Sequence, residues 1–144
     1  MSIDDWPLES GAAEGPAVLP ADAPLRFVVL HHTGIESPHF DLMFENRAGG
    51  DLNTLRCMHW PVTAPTQVVP LPMHRAAYLS YEGPISNQRG SVVRVAAGTY
   101  RARRAGPDVI EIRLVQTSSV TEPGHPGFLL VYGPDCVILR AAPT

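Results

Sequence analysis

Residues 39–45, HFDLMFE, alternate without a break. His39, Asp41, Met43 and Glu45 fall on one face, and Phe40, Leu42 and Phe44 on the other. That period of two is the signature of a β-strand. Residues 25–31 are nearly continuous in apolar residues, as a strand buried on both faces requires. Thr33 to Pro38 is then a loop between the two strands. Gly49-Gly50 marks a hairpin-like turn over residues 47–51, and residues 52–60, LNTLRCMHW, form a third strand ending at Pro61.

Four prolines in residues 61–72 predict an irregular connection, because proline donates nothing to a ladder. Met73 to Leu79 is built of helix formers and reads as two short helical turns. Residues 86–90, SNQRG, are a polar loop, and residues 91–97 a strand. Arg101, Arg103 and Arg104 form a basic cluster leading to the turn Gly106-Pro107-Asp108. Residues 109–116, VIEIRLVQ, alternate apolar and charged positions. Residues 117–127 read as a loop, and residues 128–132 and 136–140 close a hairpin around Gly133-Pro134-Asp135. Seven or eight short strands with one or two short helices define a mainly β chain, its antiparallel sheet closed into a barrel or a sandwich.

The first 24 residues stand apart from this pattern. They carry five acids and no base, and are rich in Ala, Gly and Pro. They predict an acidic, flexible N-terminal tail ahead of a single domain over residues 25–144. Trp6 either anchors the tail or stands in solvent. The overall charge of -3 conceals a division, for residues 25–144 hold eleven arginines against nine acids, a surplus of +2. No lysine occurs anywhere, which excludes a lysine Schiff base, a P-loop lysine and a lysyl-nucleotidyl intermediate. Phosphate recognition would then rest on arginine, histidine, tyrosine, metal or backbone. Cys57 and Cys136 form no CxxC pair and read as buried thiols in a reducing compartment. With no leader-like opening and no apolar run of membrane length, the expectation is a cytoplasmic protein with no membrane partner.

The candidate chemistry begins in the opening stretch. Residues two apart on a strand face one way, so His39 and Asp41 point together, and His32 at the end of the preceding strand can meet them across the loop. Two imidazoles and a carboxylate suit a divalent cation, Mn²⁺ or Zn²⁺ by ligand type. The same residues also read as a polar strand face with loop histidines beside it. His31 alternates away from His32 and is the poorer ligand. His74 and Tyr78, four apart, present either a proton donor and a phenol to an anion or a ring pair that covers the sheet. Arg75 and Arg89 are candidates for phosphate contact.

In combination, FVVLHH (27–32), HFDLMFE (39–45), LRCMHWP (55–61), HRAAYLSYEGPIS (74–86) and RGSVVRVAAGTY (89–100) resemble the 3′-phosphoesterase domain of bacterial DNA ligase D, especially its small stand-alone relatives. The resemblance covers roughly residues 25–103. It implies a small closed antiparallel β-barrel, a Mn²⁺-dependent site, and removal of 3′-terminal phosphates or ribonucleotides from nucleic-acid ends. Repair or end-joining proteins are the implied partners. His32, His39 and Asp41 fall on the family's metal ligands, and His74 and Tyr78 on its catalytic pair. Where the family carries a phosphate-binding arginine two residues after the aspartate, this chain has Met43. The loop between His32 and His39 is one residue longer than the family's usual spacing, and the lysine after the Val-Pro turn is missing. Arg75 or Arg89 would supply the lost charge in an active phosphoesterase. A catalytically weak or inactive barrel that binds nucleic-acid ends or a repair partner is the alternative expectation.

Overall fold

A computed structural model of the protein describes residues 1–8, 25–119 and 127–142. Nine strands follow in order: β1 (Leu25–Thr33), β2 (His39–Glu45), β3 (Leu52–Cys57), β4 (Thr66–His74), β5 (Gly83–Pro84), β6 (Ser91–Gly106), β7 (Val109–Ser119), β8 (Gly127–Tyr132) and β9 (Val137–Ala141). Pairing runs β1-β2-β3-β4-β9-β8-β7-β6 and returns from β6 to β1. Eight antiparallel strands thus close on themselves, and β5 pairs with the first residues of β6. Closure removes the unpaired edges that invite association, and the closed antiparallel barrel is as expected from the sequence. No helix among the described residues is long and apolar enough to cross a membrane.

Alternation along the strands sorts side chains to the two faces of this wall. Phe27, Val29, Leu42, Phe44, Leu55 and Tyr100 point into the barrel and join its main core. Their neighbours Val28, Leu30, Met43 and Leu52 point out, yet they too are buried, in a second cluster with Leu79 and Val92. The face of β2 that carries His39, Asp41 and Met43 is therefore covered rather than open. Its cover is the segment between β4 and β6, with Tyr78 and Ile85 packed against the second cluster.

Three expectations are corrected. Residues 66–74 are a strand, not an irregular connection. β4 pairs with β9 only through Thr66–Val68, so Pro70 and Pro72 follow the stretch where both edges are paired, and their missing N–H groups break no ladder on that side. Residues 91–106 form one strand of 16 residues rather than a strand and a separate basic cluster. Its first part pairs with β1 and its second with β7, and this shared strand closes the barrel. The helix expected over Met73–Leu79 is a single 3-10 turn at Ala76–Leu79, because His74 still belongs to β4, opposite Leu52.

At the start of the chain, Trp6 is an anchor. It is buried, donates from Nε1 to the Tyr132 hydroxyl at 2.9 Å, and meets Phe44 edge-on with centroids 5.3 Å apart. Asn46 and Asn53 both donate to the Asp5 carbonyl. The remainder of the expected tail, residues 9–24, lies outside the described residues.

Candidate metal centre

The antiparallel register of β1 and β2 sets His32 directly opposite His39. Their rings lie 4.9 Å apart, and Asp41 follows on the same face of β2. His32 Nδ1 is 3.7 Å from Asp41 Oδ2, and His39 Nε2 is 3.3 Å from Asp41 Oδ1. One ligand atom from each of the three residues lies within 4.8 Å of the others, a cluster able to hold a metal ion. Two donors on one ion at bond lengths of about 2.1 Å lie at most ~4.2 Å apart. The widest separation would therefore close by at least about half an ångström on binding.

The hydrogen bonds around the cluster determine what these atoms offer. His39 Nδ1 lies 2.9 Å from the Ser37 carbonyl oxygen, and His32 Nε2 lies 2.6 Å from that of Arg89. A carbonyl can only accept, so each of those ring nitrogens carries the proton. In the neutral imidazoles, the nitrogens that face Asp41 then present lone pairs. Binding one ring nitrogen to a backbone carbonyl so that the other can ligate is the usual second layer of a histidine metal site. Among the described residues, His39 Nε2 and Asp41 Oδ1 are both buried with no hydrogen-bond partner. Two buried acceptors 3.3 Å apart repel unless positive charge lies between them. The residues present therefore fit a divalent cation.

Both carbonyl supports come from tight local structure. Ser37 belongs to the connection between β1 and β2. Arg89 ends a turn in which Asn87 and Gln88 both have positive φ, 62° and 58°, followed by Gly90 at 82°. At Gly90 an added Cβ would fall 2.2 Å from the Thr33 carbonyl oxygen, so only glycine lets this turn close onto the end of β1.

Arg56 was not foreseen from the sequence. It pairs with Asp41 across β2 and β3, and its Nε lies 4.0 Å from Asp41 Oδ1. The signal was available in the hairpin: with Glu45 opposite Leu52, counting back four residues on β2 and forward four on β3 sets Arg56 against Asp41. Arg56, and not Arg75 or Arg89, comes within ion-pair distance of the cluster. Met43 is 1% exposed in the outer apolar cluster.

The structure brings His74 and Tyr78 together, with ring centroids 5.7 Å apart and edge-on. His74 Nδ1 lies 3.0 Å from the Pro72 carbonyl oxygen, which leaves its Nε2 free to give or take a proton. Among the described residues, neither ring hydrogen-bonds or stacks on His32, His39 or Asp41. Tyr78 packs against the outer cluster, whose members Met43 and Leu30 are each two residues from a candidate ligand. Arg75, Tyr78 and Arg89 line one cavity of about 280 Å³. His31 takes no part in the cluster and stacks on Phe40, with centroids 4.3 Å apart. No protein-family model matches the chain, and no curated protein matches it.

Proposed function

We propose that this chain is a divalent-metal-dependent phosphoesterase acting on 3′ ends of nucleic acid, releasing a 3′-phosphate or a 3′-terminal ribonucleotide, with Mn²⁺ as the preferred ion and Zn²⁺ the second choice. The observation that carries it is the buried, unpartnered pair His39 Nε2 and Asp41 Oδ1, completed by His32 and flanked by Arg56. A bound divalent cation supplies Lewis-acid polarisation of a phosphoryl oxygen and lowers the pKa of a coordinated water. The chain's own groups supply the rest. Arg56, partly exposed beside Asp41, offers a planar donor set to a phosphate oxygen, the task for which the sequence had offered Arg75 or Arg89 once Met43 stood in place of the expected arginine. His74, its Nδ1–H held by the Pro72 carbonyl, would enter the step as imidazolium and give its Nε2 proton to the leaving oxygen. Tyr78 offers its phenol to a phosphoryl oxygen. The resemblance of the ordered motifs to the ligase D phosphoesterase domain supports the same reading, and repair or end-joining proteins are the partners it suggests.

The test is Mn²⁺-dependent release of phosphate from a 3′-phosphorylated primer. Release by the wild-type protein and its loss in His39→Ala would support the reading. Metal binding without release would remove this substrate assignment. One observation favours a second reading: Met43 lies within an apolar cluster, so the position offers no charge to phosphate. A barrel that binds nucleic-acid ends without turning them over would retain end-binding in His74→Ala.

A further inference from the structure

Beside the metal cluster lies a cavity of about 280 Å³ between the Ala76–Leu79 turn and the turn that ends at Arg89. Arg75, Tyr78, Tyr81, Ser86 and Arg89 line it, and among the described residues no carboxylate does. The Arg75 guanidinium has no ion pair or hydrogen bond among the described residues. Arg89 is held differently. Its Nε donates to the Ser86 carbonyl at 2.8 Å and its Nη2 to the Ser86 hydroxyl at 3.0 Å. Two of its five donors are thus spent on aiming it, and about three remain for a ligand. The Tyr81 ring meets Tyr78 edge-on at 6.1 Å and is 39% exposed, with its hydroxyl tied to the Pro84 carbonyl. A fixed aromatic face next to two uncompensated guanidinium groups is the combination that binds a nucleotide unit, with base or sugar on the ring and phosphate on the arginines.

The cavity is joined to the metal cluster through a single residue. The residue that contributes its guanidinium here, Arg89, also contributes the carbonyl that orients His32. The strained pair Asn87 and Gln88 fixes both groups at once, and strain of this kind persists where the surrounding structure holds it for a purpose.

We infer that this cavity is a second phosphate subsite, holding the phosphodiester that precedes the reacting 3′ phosphate in a nucleic-acid strand. The protein would then act on strand ends and discriminate against mononucleotides. The inference rests on the phosphoesterase reading for the identity of the reacting group, but not for the binding itself.

The experiment has two arms, both with the full chain. In the first, a fluorescent tetranucleotide ending in a 3′-hydroxyl is titrated in EDTA, so that neither metal nor a reacting phosphate contributes, with inorganic phosphate as competitor. The wild-type protein is expected to bind it at low salt. The double variant Arg75→Gln/Arg89→Gln should bind at least about tenfold more weakly, with a salt slope shallower by about 0.7, the value for one fewer phosphate neutralised on a single strand. Inorganic phosphate alone should displace the tetranucleotide poorly. In the second arm, KM is compared for a 3′-phosphorylated tetranucleotide and a 3′-mononucleotide. The wild-type protein should favour the tetranucleotide, and the double variant should lose that preference through KM. Equal tetranucleotide binding by both proteins, or full displacement by inorganic phosphate, overturns the subsite even if phosphate is released. Arginine-dependent binding without release upholds the subsite and overturns the phosphoesterase reading instead.

Discussion

His39 Nε2 lies 3.3 Å from Asp41 Oδ1, and neither atom has a hydrogen-bond partner among the described residues. The two residues sit on one face of one strand, so the backbone imposes the approach. Asp41→Asn keeps the shape and replaces one acceptor by an amide able to donate. The metal-free variant is expected to be more stable than the wild-type protein by about 1 kcal/mol, seen as a melting temperature raised by a few degrees in EDTA. Added Mn²⁺ should raise the melting temperature of the wild-type protein and leave the variant where it was. A metal-free variant less stable than wild type would mean that Asp41 is already satisfied.

Arg56 stands beside the cluster without being one of its ligands. Arg56→Ala is expected to lower kcat on a 3′-phosphorylated primer by about 10²-fold, the usual cost of losing one charge-stabilising donor. Mn²⁺ affinity should stay within about threefold. A loss of metal affinity as large as the loss of rate would place Arg56 in the ion's support rather than on the substrate.

Met43 tests how far the outer cluster has become apolar. Met43→Leu conserves volume and should cost less than about 1.5 kcal/mol. Met43→Arg places a charge among Val28, Leu30, Leu52 and Leu79 and should cost about 3 kcal/mol or more in denaturant unfolding. A well-tolerated Met43→Arg that raises phosphatase activity would show that the side chain escapes the cluster and reaches substrate.

The pairing of His39 with Asp41 was legible in the sequence because strand alternation alone puts both on one face. Arg56 required a second step, hairpin register, which the turn at residues 47–51 already contained. β4 was hidden by Pro70 and Pro72, since proline argues against a strand unless one edge is known to be unpaired there, and that is a property of the closed barrel. β6 was split because Gly98 and the arginines after it interrupt the apolar pattern, whereas long-range pairing with β1 and β7 keeps the strand extended. Local pattern also could not show that the outer face of β2 is buried, because its cover arrives from residues 76–92. Nor could it show that Trp6 enters the core.

Gly90 links the backbone to the candidate metal cluster. Gly90→Ala meets both a positive φ and the Thr33 carbonyl, so the turn must move and take the Arg89 carbonyl away from His32. The expected result is a 10- to 100-fold weaker Mn²⁺ affinity, the usual effect of losing such a support. Isothermal titration of the folded variant measures it. Unchanged affinity would show that His32 needs no help from Arg89.

Glu45 governs the acid limit of stability. Burial opposes its ionisation, but hydrogen bonds from the Arg26 and Gly49 backbone N–H groups and from the Arg26 guanidinium outweigh that effect and hold its carboxyl below the ordinary glutamate range. A lowered folded value means the stabilisation is fully present above the unfolded value, near ~4.3, and is lost as pH falls through the folded one. Glu45→Gln should therefore be less stable by roughly 1–2 kcal/mol at pH 7, and the gap should narrow below about pH 4. A gap independent of pH would show that the charge contributes nothing.

The most direct test of the candidate metal centre is calorimetric titration of Mn²⁺ into the wild-type protein, Asp41→Asn and His39→Ala, with circular dichroism confirming that each variant is folded. A single ion bound by the wild-type protein, and none by either folded variant, is the expected result. Binding of equal strength and stoichiometry in all three would contradict it, because the ion would then be held by residues other than the buried, unpartnered pair.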